Sequence, residues 1–236
     1  MNLTNESGWA DENAIDSSKL QPKSIEMPNI KFYYSPGSCA LAPHILLREI
    51  GVEFEGICNN LRLGPLPEEF RLINPKMRVP VISVDDETIT ELPAIVTMIA
   101  SLAPEMKLLG KTQLETVRVY EWMNWLNGTV HGLAFKHVRR PMHFTTDPAG
   151  CEGITAKARE LLVESFDMIE SKLEGEHPVG DAYTAVDPYL FVFYRWGNEL
   201  GYNMKKYPKF TALVARVVER PAVKSTLEVE GIKSTL

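Results

Sequence analysis

Hydrophobic and polar positions fall into two regimes along the chain. From Ile30, "IKFYY" reads as a strand and "SPG" as a turn, since Pro fixes φ and Gly accepts positive φ. "CALAPHILLREIG" reads as a helix stopped by Gly51; Pro43 is tolerable only near a first turn, so that helix is expected to start close to Cys39. "VEFEGI" gives a second strand. After a loop with a short helix, "VPVISVDDETIT" reads as two strands turning at Asp85-Asp86-Glu87. "ELPAIVTMIASLA" closes this part as a helix with Glu91 and Pro93 in its first turn. The order predicts a small mixed sheet with helices on its faces.

Beyond a linker at Pro104 to Lys111 the period becomes helical throughout. In "TVRVYEWMNWLNGTVHGLAF", Trp122, Trp125, Leu126, Val130 and Leu133 are expected on one face, and Asn124, Asn127, Gly128 and His131 on another. "ITAKARELLVESFDMIESKL" places Ala158, Leu161, Leu162, Phe166 and Ile169 on one stripe. "YTAVDPYLFVFYRWGNELG" is apolar all round, as a central bundle helix would be, and "YPKFTALVARVVERP" ends at Pro221. The fold class is therefore an α/β N-terminal domain followed by an all-α helical-bundle C-terminal domain. The divisions expected are a flexible extension over 1–28, an α/β domain over 29–105 and a helical domain over 112–236. The extension is assigned on its Ser, Asn, Asp, Glu and Lys content, which buries too little to offset ordering; an arm packed on a partner subunit is the alternative.

Charge and composition narrow the function. The 236 residues include 31 acidic and 25 basic side chains, for a formal net charge of -6. With no long Lys/Arg block, a nucleic-acid or anionic-membrane role is excluded. The longest uncharged apolar stretch, Leu92 to Pro104, is too short to span a bilayer. The first residues lack a cationic start and an apolar core, and three cysteines (Cys39, Cys58, Cys151) cannot all pair within the chain. A cytoplasmic protein with reduced thiols is expected. His131, His137 and His143 lack companion ligands at a metal-binding spacing, so no metal is expected.

Cys39 carries the candidate chemistry. At a helix N-terminus, free N–H groups and the helix dipole favour a thiolate, so a depressed thiol pKa is expected there. Ser38 and Ser35 could supply a hydroxyl donor beside it. On spacing alone, a buried structural thiol is the favoured reading.

Four stretches, "YYSPGSCALAPHILLRE", "NPKMRVPVISVDD" with "ITELPAI", "YEWMNWLNGTVH", and "YTAVDPYLF" with "RVVERPAV", taken in this order, resemble the cytosolic glutathione S-transferases, with the bacterial beta class most similar. The resemblance runs from about Ile30 to Gly231. It implies a thioredoxin-like domain joined to a helical bundle, a homodimer, and glutathione as co-substrate. It also implies a cis bond at Val79-Pro80. By the same resemblance, Cys39 and Ser38 are the catalytic groups. Glu91, Leu92 and Asn124 meet the γ-glutamyl part of glutathione and His131 helps line its site; Arg78, Val79 and Pro80 meet its cysteinyl and glycyl parts. Phe135, His137, Arg139 and Trp196 are candidates for the second-substrate pocket, and Thr184 with Asp187 for a helix-capping box.

Three positions depart from the family pattern. Leu92 replaces a Ser or Gly, Met77-Arg78 replace Gly-Gln, and Gly132 follows His131 where the family has Lys. The implied function is transfer of glutathione to a small electrophile. The alternatives are a pathway-specific glutathione-dependent isomerase, dehalogenase or thiol-disulfide reductase, or a non-catalytic binding protein of the same fold.

Overall fold

Strand β1 (Ile30–Tyr34) alternates buried and half-buried side chains, the period of a strand with a packed face on each side. The chain then turns through "SPGS", where Gly37 holds a φ of +71°. Helix α1 (Leu41–Glu49) follows and ends at Ile50, with Gly51 left-handed immediately beyond it. Helix α1 starts two residues after Cys39, which sits in the tight turn leading into it. The computed structural model describes residues 28–233; the extension expected over 1–28 lies, Pro28 apart, outside them.

Strand β2 (Glu55–Cys58) pairs parallel to β1, while β3 (Val81–Val84) pairs antiparallel to β1 and β4 (Glu87–Thr90) antiparallel to β3. The sheet order is β2-β1-β3-β4. The hairpin turns at Asp85-Asp86, where Asp85 takes the positive φ that Asp tolerates better than most residues. Helix α2 (Leu92–Leu102) packs on α1 and closes the unit. The Val79-Pro80 peptide is cis.

The helical half begins with α3 (Gln113–Trp125), capped by the Thr112 side chain, which accepts from the Glu115 N–H. From Leu126 to Phe135 the same rod continues as a π-helix, with i→i+5 rather than i→i+4 bonding, before a last short turn, α4 (Lys136–Arg139). This change of period corrects one expectation. Leu133, placed in the apolar stripe by a 3.6 repeat, is 51% exposed, while Ala134 and Phe135 are fully buried. Five-residue spacing from Val130 reaches Phe135, not Leu133.

Helix α5 (Pro148–Lys172) is capped by Asp147, whose carboxylate accepts from the Ala149 and Gly150 N–H groups. Helix α6 (Val186–Glu199) is buried without interruption through Gly197 and runs against α1, α3 and α7. Its start is fixed by Asp187, which accepts from the Thr184 N–H at 2.8 Å and from the Thr184 hydroxyl at 3.1 Å. Helices α7 (Pro208–Val218) and α8 (Pro221–Val229) complete the bundle. Pro221 does not only end a helix; it occupies the first position of α8, where its missing N–H costs nothing. One continuous hydrophobic core joins the sheet to the bundle through α1, α6 and α8.

Candidate active site

The SPGS turn is held from both sides by the helical half. The Gly37 N–H donates to Glu230 Oε2 at 2.8 Å, and the Gly37 carbonyl accepts from Trp196 Nε1 at 2.9 Å. Glu230 is fully buried at its side chain and also meets His44 Nδ1 at 2.7 Å. A side chain at Gly37 would press on the Arg195 guanidinium at 3.1 Å, so this position needs both the free φ and the missing Cβ. The loop before α1 is thereby fixed against α6 and the end of α8.

In front of that loop lies a cavity of about 580 Å³. The sheet half contributes Ser38, Cys39, Met77, Arg78, Val79, Pro80, Glu91 and Leu92. The helical half contributes Asn127, His131, Phe135, Lys136, Arg139 and Trp196. Expected residues from both halves therefore meet in one place.

Two of the expected residues do not. Asn124 is exposed on α3 and is not part of the cavity lining. A 3.6 repeat would group it with Asn127 and His131, and the π-helical segment breaks that repeat just after it. His137 turns away too: its ring stacks on Phe144, with centroids 3.5 Å apart.

Cys39 also departs from expectation. The side chain keeps part of its surface at the cavity, but burial pushes its thiol up to about 12, not down. The N–H groups of Cys39 and Ala40 beside the sulfur oppose this more weakly, as does Arg139. The helix-terminus effect is present and is outweighed by desolvation. At neutral pH the group is a thiol, able to donate a hydrogen bond.

The Ser38 hydroxyl donates to the Ser35 carbonyl at 2.7 Å and accepts from the Ala40 N–H at 3.2 Å. Its proton is thus committed to the turn. His131 is held neutral: burial, then the charges of Arg139, Lys136, Arg78 and Arg140, lower its pKa to about 4.

At the other wall, Glu91 precedes α2 with a φ of +71°, and Met77 has a φ of +52°. Both are non-glycine residues in a left-handed conformation, of the kind that collects at binding sites. Lys76 Nζ donates to Thr90 Oγ1 at 2.7 Å and to the Glu91 carboxylate. Leu92 is the first residue of α2 and is buried beside it; Pro93 follows without an N–H. The first-turn donors of α2 are therefore few, and Glu91 and Leu92 at this terminus line the cavity.

Lys136 and Arg140 line the cavity and were not anticipated. Gly132 lacks the family's lysine, but the five-residue step from His131 brings Lys136 to the same wall. A π-helical period leaves no signal in a single sequence. Among the described residues no helix is long and apolar enough to cross a membrane, and no group of three or more His, Cys, Asp or Glu is placed to hold a metal ion.

Comparison with known proteins agrees with this two-part geometry. The family model described as "Glutathione S-transferase, N-terminal domain" matches residues 28–101, and "Glutathione S-transferase, C-terminal domain" matches 143–221. The chain is 31% identical over 209 residues to glutathione S-transferase GstA of Escherichia coli O157:H7, covering 86% of this chain and 100% of that one. A sphingomonad glutathione S-transferase solved with glutathione is 33% identical with a TM-score of 0.75, covering 86% of this chain and 100% of that one. The beta-class enzyme of Sphingomonas chungbukensis is 31% identical with a TM-score of 0.74, at the same coverage. A match running the full length of such relatives, on a cavity shared between a sheet and a helical bundle, makes this chain a member of the glutathione S-transferase family.

Proposed function

We propose that the chain binds glutathione and transfers it to a small electrophile. The observation that carries this reading is the meeting of Cys39, the Val79-Pro80 segment and the α2 terminus around one cavity. The Val79 backbone is available to pair with the cysteinyl unit as an added strand would. The helix terminus at Leu92 suits the γ-glutamyl carboxylate, Glu91 the adjoining ammonium, and Arg78 the glycyl carboxylate.

In this arrangement the glutathione sulfur lies beside Cys39. Its thiolate is stabilised by the Cys39 N–H and by the Cys39 S–H as a donor, while the proton leaves to solvent. The thiolate then attacks the electrophilic carbon, forming the C–S bond, and the leaving group departs with its bonding pair. His131, neutral above pH 5, is an acceptor or donor but not a charged partner. A homodimer belongs to the same proposal; exposed Leu114 and Val117 on α3 offer it an apolar face.

Calorimetric titration with reduced glutathione tests the reading: saturable binding at millimolar concentration or tighter is expected. Cys39→Ala is expected to retain binding while conjugation falls by about tenfold, the worth of one hydrogen bond to a charged sulfur. No saturable heat would leave the protein a binding or assembly member of the fold.

A further inference from the structure

The cavity carries more positive charge than glutathione requires. Four cationic side chains line it, Arg78, Lys136, Arg139 and Arg140, against one carboxylate, Glu91, which Lys76 already meets. This excess sits in a chain whose formal net charge is -6, so it is local and not a reflection of composition. Glutathione brings two carboxylates and one ammonium. In the binding mode above, the α2 terminus takes one carboxylate and Arg78 the other. Three cations, all from the helical half, are left facing the space where the electrophile would enter.

Arg139 is the best placed of the three. Its guanidinium lies over the Trp196 ring at 4.4 Å and near Phe135 at 5.7 Å, which fixes the plane of the fork. Its partner Glu199, at 2.9 Å, is shared with Arg195 at 2.6 Å, so two guanidiniums divide one carboxylate. Its charge is felt at the Cys39 sulfur. Lys136 and Arg140 make no ion pair among the described residues, and Lys136 lies over the Phe144 ring at 5.3 Å. Mutual repulsion with Arg78 and Arg140 adds to burial in lowering the Lys136 pKa, the mark of a site whose charges want a counter-ion. The wall thus sets cations on a buried aromatic support: Phe135 and Trp196 lie beneath, and Arg139, Lys136 and Arg140 offer the charge for an anionic group.

We propose that the second substrate is an anionic electrophile, an aromatic or unsaturated compound bearing a carboxylate or sulfonate, bound through Arg139 on Trp196 with Lys136 and Arg140 at the cavity mouth. This rests on the glutathione-transfer reading above and specifies its other substrate. The anion binds without reacting; it places the electrophilic carbon next to the glutathione sulfur, and raises the local concentration of anionic over neutral compounds.

The test compares two chloronitroarenes differing by a ring carboxylate, each kcat/KM divided by the uncatalysed rate with glutathione. A preference of about tenfold or more for the carboxylate is expected, falling with added salt. Arg139→Gln, and separately the Lys136→Gln/Arg140→Gln pair, are expected to lower that preference by about fivefold or more. A preference that is absent, or that survives in both variants, overturns the proposal. The affinities of the two preformed S-aryl glutathione adducts are read by calorimetry alongside. If glutathione binds but neither arene turns over, the transferase reading fails, while tighter binding of the carboxylate adduct still upholds the anion site and equal binding removes it. If glutathione itself does not bind, both readings fall.

Discussion

The two walls of the cavity are built by different means. The sheet side presents backbone features: the Val79-Pro80 segment, the terminus of α2, and left-handed Met77 and Glu91. The helical side presents mainly side chains carried by one rod whose period changes at Leu126. Backbone geometry suits an invariant ligand such as a peptide, since any side chain can occupy the position if φ allows. Side-chain charge suits a ligand that differs between proteins. Leu92 and Met77 stand where the family pattern has smaller residues and still line an open cavity, and Lys136, four residues beyond Gly132, lines the same wall.

The walls hold their relation only if the seam between them is rigid, and Glu230 is its centre. Glu230→Ala would leave both His44 and the Gly37 N–H without a buried partner. It is expected to cost roughly 3–5 kcal/mol of stability by denaturant unfolding. A loss under about 1 kcal/mol would mean that Trp196 and Arg195 alone fasten the Gly37 loop.

The next effect belongs to the charged wall. His131 has its folded pKa lowered to about 4 against an ordinary 6.5, so between these values the unfolded chain binds more protons. Stability should therefore fall as pH falls from about 6.5 to 4, by up to about 3 kcal/mol from this group. His131→Gln should flatten that part of the stability-pH curve. An unchanged slope would place the histidine in contact with water and out of the cationic field.

The smallest effect tests the backbone wall. Met77→Gly removes the penalty for a side chain at φ +52°, worth about 1–2 kcal/mol, and adds unfolded-state freedom of roughly 0.4–1 kcal/mol. A net gain of about 1 kcal/mol or less is expected in thermal unfolding. A loss would show that Met77 packing, not its backbone, matters at the cavity edge.

Much of this molecule was legible along the chain. The strands, the stop at Gly51, the hairpin at Asp85-Asp86 and the continuous burial of α6 follow from patterns of two and 3.6 residues and from Gly, Pro and Asp chemistry. The Thr184-Asp187 cap follows from the family's capping-box pattern at that spacing. The family resemblance points to Cys39, Arg78, Glu91, Leu92, His131, Arg139 and Trp196, and these line one cavity.

What the chain could not disclose was set by distance and environment. Local sequence predicts a helix terminus at Cys39, and with it a lowered thiol pKa. Only the surrounding protein decides that desolvation outweighs those dipoles. The π-helical stretch from Leu126 moves Asn124 and Leu133 outward and Lys136 inward, because the rod's period there is settled in the folded molecule and the residues alone do not announce it. The Gly37–Glu230 bond spans 193 positions, a pairing no periodicity can announce. Sequence determined the elements and the candidate chemistry, which depend on neighbours a few residues apart. Tertiary structure decided charge states and partners, because burial and Coulomb forces act through space.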